Sequence, residues 1–463
     1  MNVKHIHFMK DTLLFGLGSF IPKLLTLLIV PLFTSCLSTV EFGTADLIIN
    51  TASLALALFT FNISEAVLRY TMEEKSIKEQ IFQAAFSVFL LGSGALAIII
   101  LMIFVFIPTA KAELLILFAA TYFSLGLNSL ISAYCRGCDR VFHLVQSQIF
   151  SSVITLGCTL LFLLKFNWGL TGYLSAIILG NCFASLYCFL YFDWRKLLSF
   201  SYSHDILRAM LRYSIPLIFS TIAWWLTSVA DRWILNCYHG TSAVGLYAIA
   251  FKIPAIFTAV QSILSQAWRL SVLRQFNPQD NDTFIVSAYH AIVSLLTVFC
   301  SALLLFLVPL AKLLYSNDFY EAWKYSPILL FSLLFTSFSL LLEDIFRGLK
   351  NTRLISLTLC FGTAVNLFLN LLLIPYFGIY TAAFSSLLSS VAILTVRYLL
   401  LQKYLHLTWN RKIFFAILIL SMQVILSCFG AKTILPQTML FLLIAWIFYP
   451  DFKSHLSHLL HKV

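Results

Sequence analysis

The sequence predicts an all-α membrane protein of about 14 transmembrane helices. They form two six-helix lobes related by a pseudo-twofold axis around a central cavity, followed by two additional C-terminal helices. Three observations carry this expectation. The chain is 60% apolar and only 11% charged over 463 residues, where a soluble domain carries roughly a quarter charged residues. Apolar runs long enough to cross a hydrocarbon core of ~30 Å recur along its whole length. The loops between these runs sort by charge.

The runs lack the period-2 alternation of a barrel strand, so helices are the way their backbone is satisfied in lipid. In the first lobe, residues 1–192, the expected spans are 12–36, 42–66, 81–108, 113–134, 144–164 and 168–192. A basic, polar linker follows at 193–212. The second lobe, 213–402, holds spans at 213–237, 243–268, 284–310, 325–346, 354–375 and 378–401. Residues 403–463 add spans at 412–430 and 434–450 and a tail. The first run is too long for a signal-peptide core and lacks a small-residue cleavage site, so it reads as an uncleaved span.

Alternate loops carry 22 of the 30 Lys and Arg, among them Arg69, Arg136, Arg208, Arg212, Arg347 and Arg397, and the opposite loops carry five. The positive-inside rule then puts both termini in the cytoplasm. It also accounts for most of the net charge of +11 without a nucleic-acid partner. The outward loops are too short to fold alone, which argues against a membrane polymerase or ligase. No Walker loop and no defensible Ser–His–Asp spacing is present, so no catalytic residue, cofactor or ATP-driven step is expected.

The chain resembles itself. Ser64-Glu65-Ala66 and Ser265-Gln266-Ala267 lie 201 residues apart. Arg136-Gly137 and Arg347-Gly348 lie 211 apart, and Gly169 and Gly378 lie 209 apart. A repeat of six spans enters the membrane the same way twice, which relates the copies by an axis along the membrane normal. Two such bundles rocking about a midplane site is a transporter design.

Charges inside spans are costly and usually face a cavity or a partner. Lys23, Asp46, Glu65, Asp231, Arg232 and Lys252 fall in the first two spans of each repeat, and Glu343 and Asp344 near the inner end of the tenth. Lys23 and Lys252 at mid-depth, with Arg232, point to a wet, positive chamber suited to a phosphate or pyrophosphate. Asp46, Glu65 and Asp231 are candidate proton or cation carriers. Asp231 and Arg232 point about 100° apart on a helix and are each free to pair elsewhere. Glu65 and Arg69 have the spacing of an ordinary i, i+4 pair. The C-x-x-C of Cys135 and Cys138 has no second pair nearby, so a reduced structural thiol is favoured over zinc. His455, His458 and His461 read as part of an interfacial tail, not a metal site.

Asp231-Arg232-Trp233-Ile234-Leu235, Gly240, Val244-Gly245-Leu246-Tyr247-Ala248 and Lys252 resemble the start of the second lobe in polysaccharide flippases. Pro31-Leu32-Phe33-Thr34, Glu41-Phe42-Gly43 and Arg69-Tyr70 resemble their first lobe. The likeness is to the O-antigen and capsule oligosaccharide flippases, whose superfamily also holds multidrug/cation antiporters and the lipid II flippase. It implies a V-shaped cavity and alternating access in the bacterial cytoplasmic (inner) membrane. It also implies a polyprenyl-pyrophosphate-linked oligosaccharide as substrate, and coupling to a proton or Na+. Lys23, Arg232 and Lys252 would then neutralise the pyrophosphate. Trp224, Trp225 and Trp268 would stack on sugars or anchor the protein in lipid. A monomer is the expected state, because one chain contains both lobes. The resemblance also admits polysaccharide polymerase machinery as a partner.

Overall fold

The computed structural model describes residues 25, 27–73, 77–107, 111–192, 197, 201–275, 283–349, 351–405 and 411–460. Among them there is no strand. The chain divides into two compact units, Met1–Val229 and Ala230–Val463, and the division falls inside a long helix.

Unit 1 contains α1 (Val30–Cys36), α2 (Thr39–Phe59), α3 (Ile63–Glu73), α4 (Lys78–Phe106), α5 (Ala112–Gly137), α6 (Val141–Leu160), α7 (Gly169–Phe189) and the first half of α8 (His204–Ala250). Helix α2 opens with a capping box. The Glu41 amide donates to Ser38 Oγ at 3.2 Å, and the Ser38 amide donates to the Glu41 carboxylate at 2.8 Å. Two orphan amide donors at the helix start are satisfied this way. The expected span 42–66 is not one helix. Phe61 and Asn62 take positive φ of 52° and 55°, which ends α2, and Asn62 Nδ2 donates to Thr221 Oγ1 on α8 at 2.9 Å. The core of the unit is aromatic: Phe82 meets Tyr134 at 5.0 Å and Phe89 meets Tyr122 at 6.4 Å between ring centres.

Helix α8 bends at Gly240, whose φ of 77° and ψ of 175° suit only glycine. Unit 2 continues with α9 (Pro254–Gln275), α10 (Thr283–Leu314), α11 (Ser326–Gly348), α12 (Thr352–Phe377), α13 (Ile379–Leu401), α14 (Arg411–Ser427) and α15 (Ile434–Leu460). The expected span 243–268 is interrupted by a turn at 251–253, after which Pro254 begins α9. Helices α14 and α15 pack on α10. Ser301 Oγ donates to Gln423 Oε1 at 2.6 Å, and Gln423 Nε2 donates to the Ser301 carbonyl at 3.0 Å.

Among the described residues, ten helices are long and apolar enough to cross a membrane. Their surfaces agree: Leu91, Phe106 and Phe219 are 75%, 77% and 76% exposed. In water such a surface would aggregate; in lipid it matches its solvent. Most of the first expected span, with Lys23, lies outside the described residues.

The repeat has a structural counterpart inside each unit. Helices α5 and α11 end at Gly137 and Gly348, and α7 and α13 are each preceded or opened by a positive-φ glycine, Gly169 at 51° and Gly378 at 59°. One helix crossing also recurs with its residues exchanged. In unit 1, Ser151 on α6 donates to the carbonyl of Gly180 on α7 at 2.7 Å. In unit 2, Ser389 on α13 donates to the carbonyl of Gly362 on α12 at 2.8 Å. From 151 to 362 is 211 residues and from 180 to 389 is 209, so serine and glycine swap at equivalent positions. Small residues of this kind let membrane helices approach closely. A Cβ on Gly180 would lie 2.0 Å from Thr155 Oγ1, whereas one on Gly94 meets nothing within 4 Å. Gly180→Val should therefore destabilise the protein by about 1–3 kcal/mol through overpacking. Thermal unfolding of the purified protein in detergent tests this, and melting no lower than Gly94→Val would refute the close crossing.

Candidate functional site

In unit 2, Asp231 and Arg232 precede the bend in α8 at Gly240, and Lys252 lies just beyond the end of that helix. Asp231 is 4% exposed. Its Oδ2 accepts from the Tyr247 hydroxyl at 2.5 Å, and its Oδ1 accepts from the Arg232 amide at 2.8 Å. The Arg232 guanidinium turns back on the same carboxylate at 3.5 Å and lies 5.5 and 5.4 Å from the rings of Tyr247 and Phe251. The two neighbours in sequence thus pair with each other, and the Arg232 charge is largely spent inside the cluster. Lys252 sits in the turn between the two helical segments, half-buried, with its amide bonded to the Ile249 carbonyl at 2.8 Å. A helix break at the depth of a lysine is a common way to build a polar site in a transporter.

In unit 1, Asp46 is half-buried on α2, one turn before Asn50, whose carbonyl accepts from Trp225 Nε1 at 2.9 Å. It lies within electrostatic reach of Tyr173, which packs with Phe33 and Phe42 at 5.1 and 5.7 Å. Glu65 differs from expectation. It belongs to the first turn of α3, beyond the break in α2, and is exposed. Arg69 pairs with Glu73 at 3.0 Å, not with Glu65. The reason is Tyr213: the Arg69 guanidinium stacks over its ring at 4.5 Å and so reaches toward Glu73.

Trp268 is also corrected. It is 1% exposed and donates to the Leu341 carbonyl at 2.9 Å, which makes it a core residue with no face for a sugar. Trp224, at 60% exposure, has the position of a lipid anchor. Cys135 is buried, and burial pushes the Cys138 thiol up, away from a reactive thiolate. Among the described residues no three His, Cys, Asp or Glu side chains come together as metal ligands. The side chains of His455, His458 and His461 lie outside those described.

Two polar clusters were not assembled from the sequence, which singled out Glu343 and Asp344 of the second but not their partners. Unit 1 holds an amide cluster: Asn128 Nδ2 donates to Asn181 Oδ1 at 3.2 Å, and Ser132 and Gln148 donate to Asn128 Oδ1 at 3.2 and 3.4 Å. Unit 2 holds an ionic network. Arg397, 2% exposed, contacts Glu343 at 2.9 Å, the Ser339 carbonyl and hydroxyl at 3.0 Å each and Thr358 Oγ1 at 3.0 Å. Arg347 holds the other Glu343 oxygen at 2.5 Å, and Arg269 holds Asp344 at 2.8 Å. Arg397 is therefore a buried span residue and not the loop residue of the charge count. Its place inside the run 378–401 was the available signal.

These arrangements bind and orient charge within a membrane-spanning frame. A family model described as polysaccharide biosynthesis protein matches residues 8–270, and a MatE model matches residues 216–372. No curated protein sequence matches. Among solved structures, the lipid II flippase MurJ in an inward closed conformation is similar, with a TM-score of 0.72 and 14% identity over 96% of this chain and 100% of that one. An inward-facing multidrug resistance MATE transporter of the MOP superfamily has a TM-score of 0.62 and 15% identity over 82% and 93%. A MOP superfamily transporter from Pyrococcus furiosus, described as having a binding pocket of reverse polarity, has a TM-score of 0.56 and 16% identity over 84% and 94%. At these identities the likeness is one of fold.

Proposed function

The chain belongs to the polysaccharide biosynthesis protein family, and from that premise we propose that it is a flippase for a polyprenyl-pyrophosphate-linked oligosaccharide. It would move this lipid from the cytoplasmic to the periplasmic leaflet of the inner membrane by alternating access, serving O-antigen, capsule or other lipopolysaccharide-type surface polymers. The supporting observation is the extent of the family match. Residues 8–270 include Lys23, Asp46, Glu65, Asp231, Arg232 and Lys252, every charge assigned a role from the sequence.

In this reading Lys23 and Lys252 meet the pyrophosphate. Arg232 contributes through its pair with Asp231, and the trapped Asp231 carboxylate is the foremost candidate for proton or Na+ coupling. Asp46 is the second, and the exposed Glu65 is the weakest. The movement itself breaks no bond, and a single chain suffices for it.

Deleting the gene is the direct test. Surface polysaccharide should disappear while lipid-linked repeat units accumulate on the cytoplasmic side. The MatE match over 216–372 favours a second reading, a multidrug/cation antiporter of the same fold. Normal polysaccharide with new sensitivity to cationic dyes would select it over the flippase. Rescue of a strain depleted of its essential lipid II flippase would identify lipid II as the cargo.

A further inference from the structure

A cleft of about 540 Å3 opens in unit 1 where α3 meets the start of α8, lined by Tyr70, Asp205, Arg208, Ala209, Arg212 and Tyr213. Its walls are fixed. Met210 is fully buried, and Leu207 and Leu211 pack on the core of the unit. The Tyr70 hydroxyl donates to the Ala209 carbonyl at 3.2 Å, and the Tyr70 and Tyr213 rings meet edge to face at 6.3 Å. Clamped on its apolar face, this segment of α8 turns Arg208 and Arg212 outward on one face, one helical turn apart, and both are exposed. Like charges at this spacing repel. Among the described residues neither has a carboxylate within ion-pair distance. Asp205 shares the cleft, and its backbone amide donates locally to Ser203 Oγ at 3.2 Å. Arg69, stacked on Tyr213, is paired with Glu73.

Two guanidiniums with no carboxylate partner among the described residues, beside two tyrosines, at the start of a span, make a chemically specific cradle. Guanidinium forks match phosphate oxygens. Tyrosine rings favour headgroup depth, and arginines next to a span on the side that the basic loops assign to the cytoplasm meet the anionic leaflet. We propose that this cleft binds the phosphate group of a lipid in the cytoplasmic leaflet. The phosphate can come from an anionic phospholipid or from a polyprenyl phosphate, and the two sources are separable. The site rests on membrane placement alone, so it survives failure of the flippase reading through its phospholipid arm.

The test uses purified full-length protein in neutral detergent, titrated separately with phosphatidylglycerol and undecaprenyl phosphate, with bound lipid counted by native mass spectrometry. Arg208→Gln/Arg212→Gln should weaken binding about tenfold or more, the loss expected from two charge-assisted contacts. Arg136→Gln/Arg353→Gln removes the same charge from two other exposed helix ends and should leave binding within about twofold. Loss for both lipids identifies a general phospholipid site, and loss confined to undecaprenyl phosphate identifies a polyprenyl site. Equal binding by the wild type and the Arg208/Arg212 variant, or equal losses in both double variants, overturns the proposal. If the first double variant melts lower than the wild type, Arg208→Gln alone, which removes one exposed side chain, carries the same comparison.

Discussion

Arg397→Met should cost about 3 kcal/mol of stability, at the lower end of the range for breaking a buried ion pair. The figure follows from what each group loses. The interhelical hydrogen bonds to Ser339 and Thr358 contribute about 0.6–2 kcal/mol each in a membrane protein. The larger effect is the Glu343 carboxylate, 9% exposed, left with Arg347 as its charged partner in this network. Arg347 is 38% exposed and cannot compensate a buried acid fully. Arg347→Met removes a half-solvated charge and should cost about 1 kcal/mol or less. Arg397→Met/Glu343→Leu, which removes both buried charges, should recover most of the loss. Thermal unfolding in detergent reads all three. Equal destabilisation by Arg397→Met and Arg347→Met would show that the buried pair does not organise this end of unit 2.

Lys252→Ala should reduce surface polysaccharide about tenfold or more in cells that make the protein at normal levels. A hydrogen bond to a charged group is worth about 1.5–3 kcal/mol, and 1.4 kcal/mol corresponds to about tenfold in binding. Lys23→Ala should behave alike, and Lys252→Arg should retain most function because the charge persists. Arg232→Ala should differ in kind. Its guanidinium is committed to Asp231, Tyr247 and Phe251, so its removal takes the adjacent positive charge from a buried carboxylate and should lower the amount of folded protein. Normal polysaccharide in both lysine variants would remove the pyrophosphate role from this site.

What the sequence made legible was the frame. Apolar runs located the helices, Ser38 and Glu41 spelled a capping box, and the Arg-Gly and Gly pairs marked the same helix ends in both units. Helix rotation was not legible. In lipid both the outward and the inward faces of a helix are apolar, so periodicity does not reveal which way a residue points. That is why Trp268 read as a candidate sugar platform and is core, and why Arg397 read as a loop charge and is buried. Breaks were hidden for another reason: Phe61 and Asn62 carry no glycine or proline signal, and their left-handed backbone is supported by a contact to Thr221, 159 residues away. The pairing of Arg69 with Glu73 likewise depends on Tyr213, which no local spacing shows.

The proposed flippase moves a lipid-linked oligosaccharide across a bilayer. The most direct measurement reconstitutes the purified protein in liposomes carrying a fluorescent polyprenyl-pyrophosphate oligosaccharide and follows its accessibility to an impermeant quencher. Protein-dependent translocation, weakened in Lys252→Ala and preserved in Lys252→Arg, is the predicted result. An immobile lipid in liposomes where the same protein exchanges an organic cation for protons or Na+ would contradict it.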